Sequence, residues 1–217
     1  MSLLRRGFTF LIWRLFEYHT YHIFADDVEA LLARTEASFK PRIADFTFTF
    51  VSSNPEADEL ESQGLEFRST IPNSAEWLSK GAIASCIFVG QELAHIGWIA
   101  LSQEAKDALN EPPFQVHFAD GEACTGQLWT RAEYQRLGLA SYALTMRARL
   151  MLENGIKTER YAVNKRNIST QSFTVKYNAD VCAEGRYLRI LWWRSWRERP
   201  LSVKEQEAMA QTNGPHG

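Results

Sequence analysis

Apolar and polar positions change period repeatedly along the chain, and each change marks a predicted element. Between Phe16 and Phe24, aromatic and β-prone residues come in near alternation (Phe16, Tyr18, Thr20, His22, Phe24), which predicts a strand. Asp26 and Asp27 then precede Val28, Leu31, Leu32 and Phe39, a helix with acid at its start that Pro41 closes. Phe46 to Val51 alternates Phe with Thr as a strand does, and Asn54-Pro55 breaks it before a short acidic helix over Glu56 to Ser62. Asn73 or Ser74 caps a short helix through Trp77 and Leu78. Ala82 to Val89 and Leu93 to Leu101 are apolar runs separated by Gly90-Gln91-Glu92, a hairpin. Asn110 to Pro113 reads as a loop, and Phe114 to Phe118 and Ala123 to Trp129 read as strands on either side of a turn at Asp120-Gly121.

The clearest helix is Ser141 to Asn154, with Ala140, Leu144, Ala148 and Met151 on one face, Arg147 and Arg149 directed elsewhere, and Asn154-Gly155 as its stop. A strand at Thr158 to Val163, a helix at Asn167 to Tyr177 and a last strand at Tyr187 to Trp193 follow. Beyond Pro200 the sequence is polar, so fraying is expected.

At the amino end, Leu3, Leu4, Phe8, Leu11, Ile12 and Leu15 recur at helical spacings behind Arg5 and Arg6. The apolar run from Phe8 to Trp13 falls short of the roughly 20 residues that span a bilayer. No small-residue cleavage site follows it, so an amphipathic helix is expected, docked on the domain or lying on a partner or membrane surface. His19 and His22 sit three apart on an alternating strand and point to opposite faces, so no metal site is predicted.

Composition narrows the class. The chain has 217 residues, with 24 Lys plus Arg against 26 Asp plus Glu, a net charge of −2. That fits one globular domain with extensions and argues against a protein that coats nucleic acid. Cys86, Cys124 and Cys182 are an odd, widely spaced set without a C-x-x-C pair, which suits a reducing cytoplasm. Aromatic residues make up 12% of the chain, with seven Trp, and much of that content sits near the two ends. Trp192-Trp193-Arg194-Ser195-Trp196-Arg197 interleaves Trp with Arg, a pattern that stacks on bases, lies at a lipid interface or, the favoured reading, forms core or a dimer seam.

The stretch that carries chemistry runs from Gly126 to Ala140, a strand passing through a small-residue turn into the clearest helix. Backbone N–H groups at a helix N-terminus form an anion cradle, and small residues let a pyrophosphate approach the main chain. Gln135, Gly138 and Ala140 form a Q-x-x-G-x-A pattern, with Arg131 and Arg136 close in sequence.

This pattern resembles the pyrophosphate loop of the GNAT superfamily of acyl-CoA-dependent N-acyltransferases, Gln/Arg-x-x-Gly-x-Gly/Ala after the family's fourth strand. The resemblance covers most of Ala82 to Leu191. The hairpin CIFVGQELAHIGWIAL places Gly97 where the family has a glycine, and Asn167 opens a helix ending in Lys176-Tyr177-Asn178-Ala179, similar to the family's Asn…Lys-x-Gly-Phe region. It departs at Asn178, where Gly is usual, and at Thr174, where many members place the Tyr that protonates the departing thiolate. Tyr177 is left as the candidate acid.

The resemblance implies an α+β (α/β) fold, a single domain with a mixed, mostly antiparallel central sheet flanked by helices. Residues 46–195 would form it, 1–45 would add a helix/strand/helix extension, and 196–217 would be a partly disordered tail. Leu128, Trp129, Gln135, Arg136, Leu137, Gly138, Leu139, Ala140 and Asn167 would bind acetyl-CoA or another acyl-CoA. The thioester would lie between the fourth and fifth strands with its carbonyl on a main-chain N–H.

Deprotonating the amine needs a base near that strand. By period two Glu122, Cys124, Gly126 and Leu128 share one face, which makes Glu122 the first candidate, with His117 and His95 as alternatives. Cys124 has no evident His partner and reads as a buried thiol. Three functions stand open. One is transfer of an acetyl or other acyl group to a small-molecule or peptide amine. Another is non-catalytic acyl-CoA binding, motivated by Thr174. The third is docking to a membrane or partner through Met1 to Arg14 and the Trp cluster. A homodimer is a further expectation.

Overall fold

A computed structural model describes residues 16–36, 41–177, 179–202 and 204–206. The helix expected over Leu3 to Leu15, Asn178 and the sequence after 206 lie outside the described residues. The chain divides into two compact units: a larger one of Asp26–Glu111 and Gln115–Tyr161, and a smaller one of the residues up to Ala25, Pro112–Phe114 and those from Ala162 onward. Eight strands and six α-helices form among the described residues. Strand pairing is mixed and mostly antiparallel, with helices flanking, as expected.

In the larger unit the strands run in the order β2 (Thr47–Val51), β3 (Ala82–Val89), β4 (Glu92–Ala100), β5 (Glu122–Thr130) and the start of β6 (Thr158–Asn164). The first three pairings are antiparallel; β5 and β6 are parallel, from Glu122↔Thr158 to Cys124↔Arg160. Helix α1 (Val28–Glu36) packs against α5 (Leu139–Glu153), which lies on β3 and β4. On that face Leu139 and Ala143 meet Ile87 and Ala94, with Phe46, Phe48 and Tyr142 around them. The opposite face carries α2 (Asn54–Ser62), α3 (Ser74–Ser79) and α4 (Gln103–Ala108). There Trp98 stacks edge-on against Trp77 at 4.9 Å and Phe67 at 6.3 Å, so each β4 face has its own buried layer.

The smaller unit holds β1 (Phe16–Asp27) up to Ala25, α6 (Ile168–Lys176), β7 (Val181–Ile190) and β8 (Trp193–Pro200). β7 pairs antiparallel with β1 and with β8. Asn167 opens α6 by accepting the Thr170 N–H on its side-chain oxygen at 3.1 Å. Trp196 lies over Gly185, where any Cβ would strike its ring, and its ring centre is 5.9 Å from that of Tyr21.

Three sequence expectations need correction. Phe114 to Phe118 is not a strand; the chain is irregular to His117 and makes a 3₁₀ turn over Phe118–Asp120. Both edges of β5 are already taken, by β4 and β6, and the two prolines ahead of Phe114 donate no ladder bond. The strand expected over Tyr187 to Trp193 is two strands joined at Leu191-Trp192, a turn without Asn or Gly to announce it. Helix α4 was not anticipated, although Ser102 caps it by accepting the Ala105 N–H at 3.2 Å.

Candidate functional site

β4 and β5 keep antiparallel register until β5 carries one residue too many. Ile96 lies opposite Trp129 and Trp98 opposite Gly126, so Gly97 faces both Gln127 and Leu128. This is a β-bulge, with Gln127 at φ 48°. It lies beyond the last β5–β6 pair at Cys124↔Arg160. The bulge also reverses the alternation along β5. Gly126 shares the face of Trp98, whereas a Cβ on Gly97, which points the other way, would lie 2.6 Å from Leu128 Cδ2. The expectation that one face holds Glu122, Cys124, Gly126 and Leu128 therefore fails at Leu128.

On the Gly126 side stands an acid that sequence reasoning did not single out. Any Cβ on Gly126 would collide with the Glu111 carboxylate, so the glycine is what lets this side chain lie against β5. Burial pushes the Glu111 carboxyl up to about 7, against the opposing influence of the Lys106 charge and of main-chain and side-chain hydrogen bonds from Gln127. Lys106 is itself buried. The Gln127 side chain also donates to the Leu109 carbonyl at 3.0 Å, which ties the bulge to the segment that carries Glu111. A Glu in an Asn-Glu-Pro-Pro loop looks like a surface turn; only Gly126, inside a strand, hinted that something approached β5 closely.

On the other face, a buried polar group fills the space beneath Gly97. Arg147, from α5, donates to Ser85 Oγ at 3.3 Å, and that hydroxyl donates to the Gly97 carbonyl at 3.0 Å. Glu159 is buried in the field of Arg147 and accepts from Thr125 Oγ1 at 2.5 Å. Burial raises the Glu159 carboxyl to about 6, with Arg147 and Thr125 opposing the rise.

His95 is enclosed, with Nδ1 2.7 Å from Thr130 Oγ1. Burial, aided by Arg147, pushes it down to about 3, so its ring is neutral. Burial raises the Cys124 thiol well above its ordinary range, the reverse of what a thiolate nucleophile needs.

After β5 the chain makes a 3₁₀ turn over Ala132–Tyr134 and reaches α5 through two left-handed residues, Arg136 at φ 62° and Gly138 at φ 87°. Gly138 is the N-cap and has no side chain to bond the first-turn N–H groups. Those groups carry the positive end of a 15-residue helix. The loop is held from outside. Arg42 donates its main-chain N–H to the Leu137 carbonyl at 2.8 Å, and Gln135 donates its amide back to the Thr130 carbonyl at 3.3 Å. Leu139 is buried in the α5 core, while Ala140 is half-buried.

The larger unit thus brings together Leu128, Trp129, Gln135, Arg136, Leu137, Gly138, Leu139 and Ala140. Glu122 lies at the opening of β5, where its carboxylate accepts the His117 N–H at 2.7 Å and faces Arg160 Nη1 at 3.4 Å. Asn167 and Tyr177 belong to the smaller unit, Asn167 capping α6 and Tyr177 buried at that helix's end. Thr174 is also buried, its hydroxyl donating to the Gln171 carbonyl at 2.8 Å. Among the described residues no cluster of His, Cys, Asp and Glu could hold a metal ion, and no helix is long and apolar enough to cross a membrane.

No protein-family model and no curated protein matches the sequence. Solved structures do. A functionally unknown conserved protein from Staphylococcus epidermidis aligns with TM-score 0.53 at 12% identity over 88% of this chain and 67% of its own, which shows a shared fold. The C-terminal DUF2156 domain of a protein named as a lysylphosphatidylglycerol synthetase, from Agrobacterium fabrum, aligns with TM-score 0.46 at 12% identity, over 92% of this chain and 66% of its own. A GCN5-related glucosamine N-acetyltransferase region of a fungal multi-domain β-N-acetylglucosaminidase gives TM-score 0.40 at 9% identity, over 91% and 23%. The chain spans about two thirds or less of the length of each of these structures.

Proposed function

We propose that this chain is a GNAT-like N-acyltransferase that moves an acetyl or other acyl group from acyl-CoA to an amine. The observation that carries the reading is the β5 bulge at Gln127-Leu128, which lies past the last β6 pair and is followed in the same unit by the N-terminus of α5, opened by Gly138. An acyl-CoA supplies a thioester already activated for attack. The main-chain N–H groups from Gly138 to Ala140 would hold its pyrophosphate, with Arg136 adding charge, and a main-chain N–H at the bulge other than that of Gln127, which Glu111 takes, would polarise its carbonyl.

Glu111 replaces Glu122 as the preferred base. Its carboxyl lies against the strand at the bulge and is raised to about 7, whereas the Glu122 carboxylate closes a turn. Glu111 would accept the amine proton as nitrogen bonds to the carbonyl carbon. The carbon–sulfur bond breaks, and Glu111 returns the proton to the departing thiolate, a thiol of ordinary pKa near ~8.5. That route needs no Tyr at position 174.

Calorimetric titration of the full chain with acetyl-CoA tests the reading. Saturable binding that Gly138→Val weakens is expected, together with release of free CoA thiol on addition of a panel of primary amines. No heat with acetyl-CoA or longer acyl-CoAs would overturn it. Tight binding without thiol release would favour the second reading, a non-catalytic acyl-CoA-binding module, for which Thr174 at the Tyr position speaks.

A further inference from the structure

The hairpin joining β7 to β8 ends in an apolar tip. Leu191 and Trp192 form the turn, Trp192 is 86% exposed and Trp193 53%. Phe16, paired with Ile190, and Ile190, paired with Trp193, continue the exposed patch along the rungs. Leu191 takes φ 58°, a conformation that two-residue hairpin turns normally give to Asn or Gly. The chain thus holds a bulky apolar residue in a costly conformation where solvent would favour a polar one.

The charge around the tip is of one sign. From Gly185 to Arg197 the sequence contains Arg186, Arg189, Arg194 and Arg197 and no acidic residue. Arg189 faces Arg194 across the ladder, and Arg186 faces Arg197. Like charges directly opposite destabilise a hairpin, and an anionic surface would relieve that repulsion. Glu17 takes up Arg189 at 2.8 Å and Glu184 takes up Arg186 at 3.0 Å, while Arg194 and Arg197 are exposed. The chain enters β1 at this same tip, because Phe16 is the residue paired with Ile190. The 15 residues before it include Arg5, Arg6 and Arg14, eight Leu, Ile, Phe and Trp side chains, and no acid.

We propose that the β7–β8 hairpin tip docks this protein on an anionic lipid surface, with Trp192, Trp193, Leu191 and Ile190 entering the headgroup boundary and Arg194 and Arg197 meeting lipid phosphates. Trp favours that boundary, and basic residues beside a short apolar insertion supply the second attraction that one insertion needs. A nucleic-acid strand fits less well. Ile190 and Leu191 stack on no base, and the tip is a protrusion rather than a basic groove.

Vesicle flotation of the full chain tests the proposal, with phosphatidylcholine alone and phosphatidylcholine mixed with phosphatidylglycerol. Binding to the anionic vesicles only, reversed by salt, is expected. Trp192→Ala/Trp193→Ala should lower the partition coefficient about tenfold, and Arg194→Glu by about tenfold. Both variants should keep the wild-type melting profile, because the side chains lie on the surface. Equal binding to both vesicle types, or unchanged partition of both variants, overturns the proposal. So does loss of binding on deleting residues 1–15 while the tip variants bind like wild type. A tip-dependent dimer by light scattering, or tip-dependent capture of single-stranded DNA, without vesicle binding also overturns it and assigns the tip to that partner instead.

Discussion

The two faces of the β4–β5 pair each hold a glutamate, one buried and one half-buried, and the two acids live under different rules. Glu159 is enclosed with Arg147 and Thr125 beneath Gly97; Glu111 lies against Gly126 beside an exposed bulge and is held by Gln127. Both are raised by burial, to about 6 and about 7. The first has its charge answered by a buried cation and belongs to the architecture. The second neighbours an exposed strand irregularity and is bonded by its Gln127, where a raised carboxyl is useful as a proton acceptor. A shifted pKa does not separate structure from chemistry; what surrounds the acid does.

The largest test of that contrast is on the Glu159 side. Glu159→Gln takes from the buried Arg147 the carboxylate in whose field it lies, offset in part because a buried charge is relieved, so a loss of roughly 1–3 kcal/mol in urea denaturation at pH ~8 is expected. Glu111→Gln should cost less than about 1 kcal/mol, since an amide can still accept from Gln127. It should instead lower amine-dependent thiol release by about 10²-fold, leave acetyl-CoA affinity in place, and remove the limb of the pH–rate profile near neutrality. Equal stability losses in the two variants would erase the distinction drawn here.

Next in size is Gly126→Ala. The new methyl would force the Glu111 carboxylate away from β5, an expected cost of about 2 kcal/mol. In the Glu111→Ala background the same change should cost under about 0.5 kcal/mol, because the colliding group is gone. Additivity of the two substitutions would show that Glu111 does not rest on Gly126.

Titration separates the faces as well. Each acid rises from an ordinary 4.5, to about 7 for Glu111 and about 6 for Glu159. The folded chain therefore holds more protons than the unfolded one between those values. The stabilisation from this excess is complete below about 4.5 and is lost as pH rises through the folded values. In Glu111→Gln the stability–pH curve should lose the fall with pH that Glu111 contributes between pH ~6 and ~7, on top of the opposite slope from His95, whose folded ring is neutral. An unchanged slope there counts against the raised carboxyl.

Much of this was legible in the residues. The hairpin of β3 and β4, the strand-to-helix turn at Gly138 and helix α5 follow from apolar runs punctuated by Gly, and they lie close to where the pattern put them. What escaped has specific causes. A one-residue bulge leaves no mark in a period-two pattern, so Leu128 was assigned to the wrong face. Glu111 acquires its character from a contact with a residue 15 positions away in the chain, and no local spacing encodes that. The β7–β8 turn was hidden because Leu191-Trp192 uses none of the residues that usually signal a reversal.

The smallest expected effect probes whether the two faces are truly insulated. Leu128 is 45% exposed, so Leu128→Ala removes little buried area and should shift stability by no more than about 0.5 kcal/mol. Yet its Cδ2 reaches over Gly97, beside the Arg147 guanidinium. If Leu128 is only part of the bulge surface, the truncation leaves the Glu159-dependent loss unchanged and additive. If Leu128 is a lid that keeps water from Arg147, the loss exceeds 1 kcal/mol, about what one exposed polar pair is worth, and it shrinks in the Glu159→Gln background. The first outcome keeps the bulge and the buried pair as independent devices; the second makes the surface that would meet an acyl group part of the same energetic unit as Arg147.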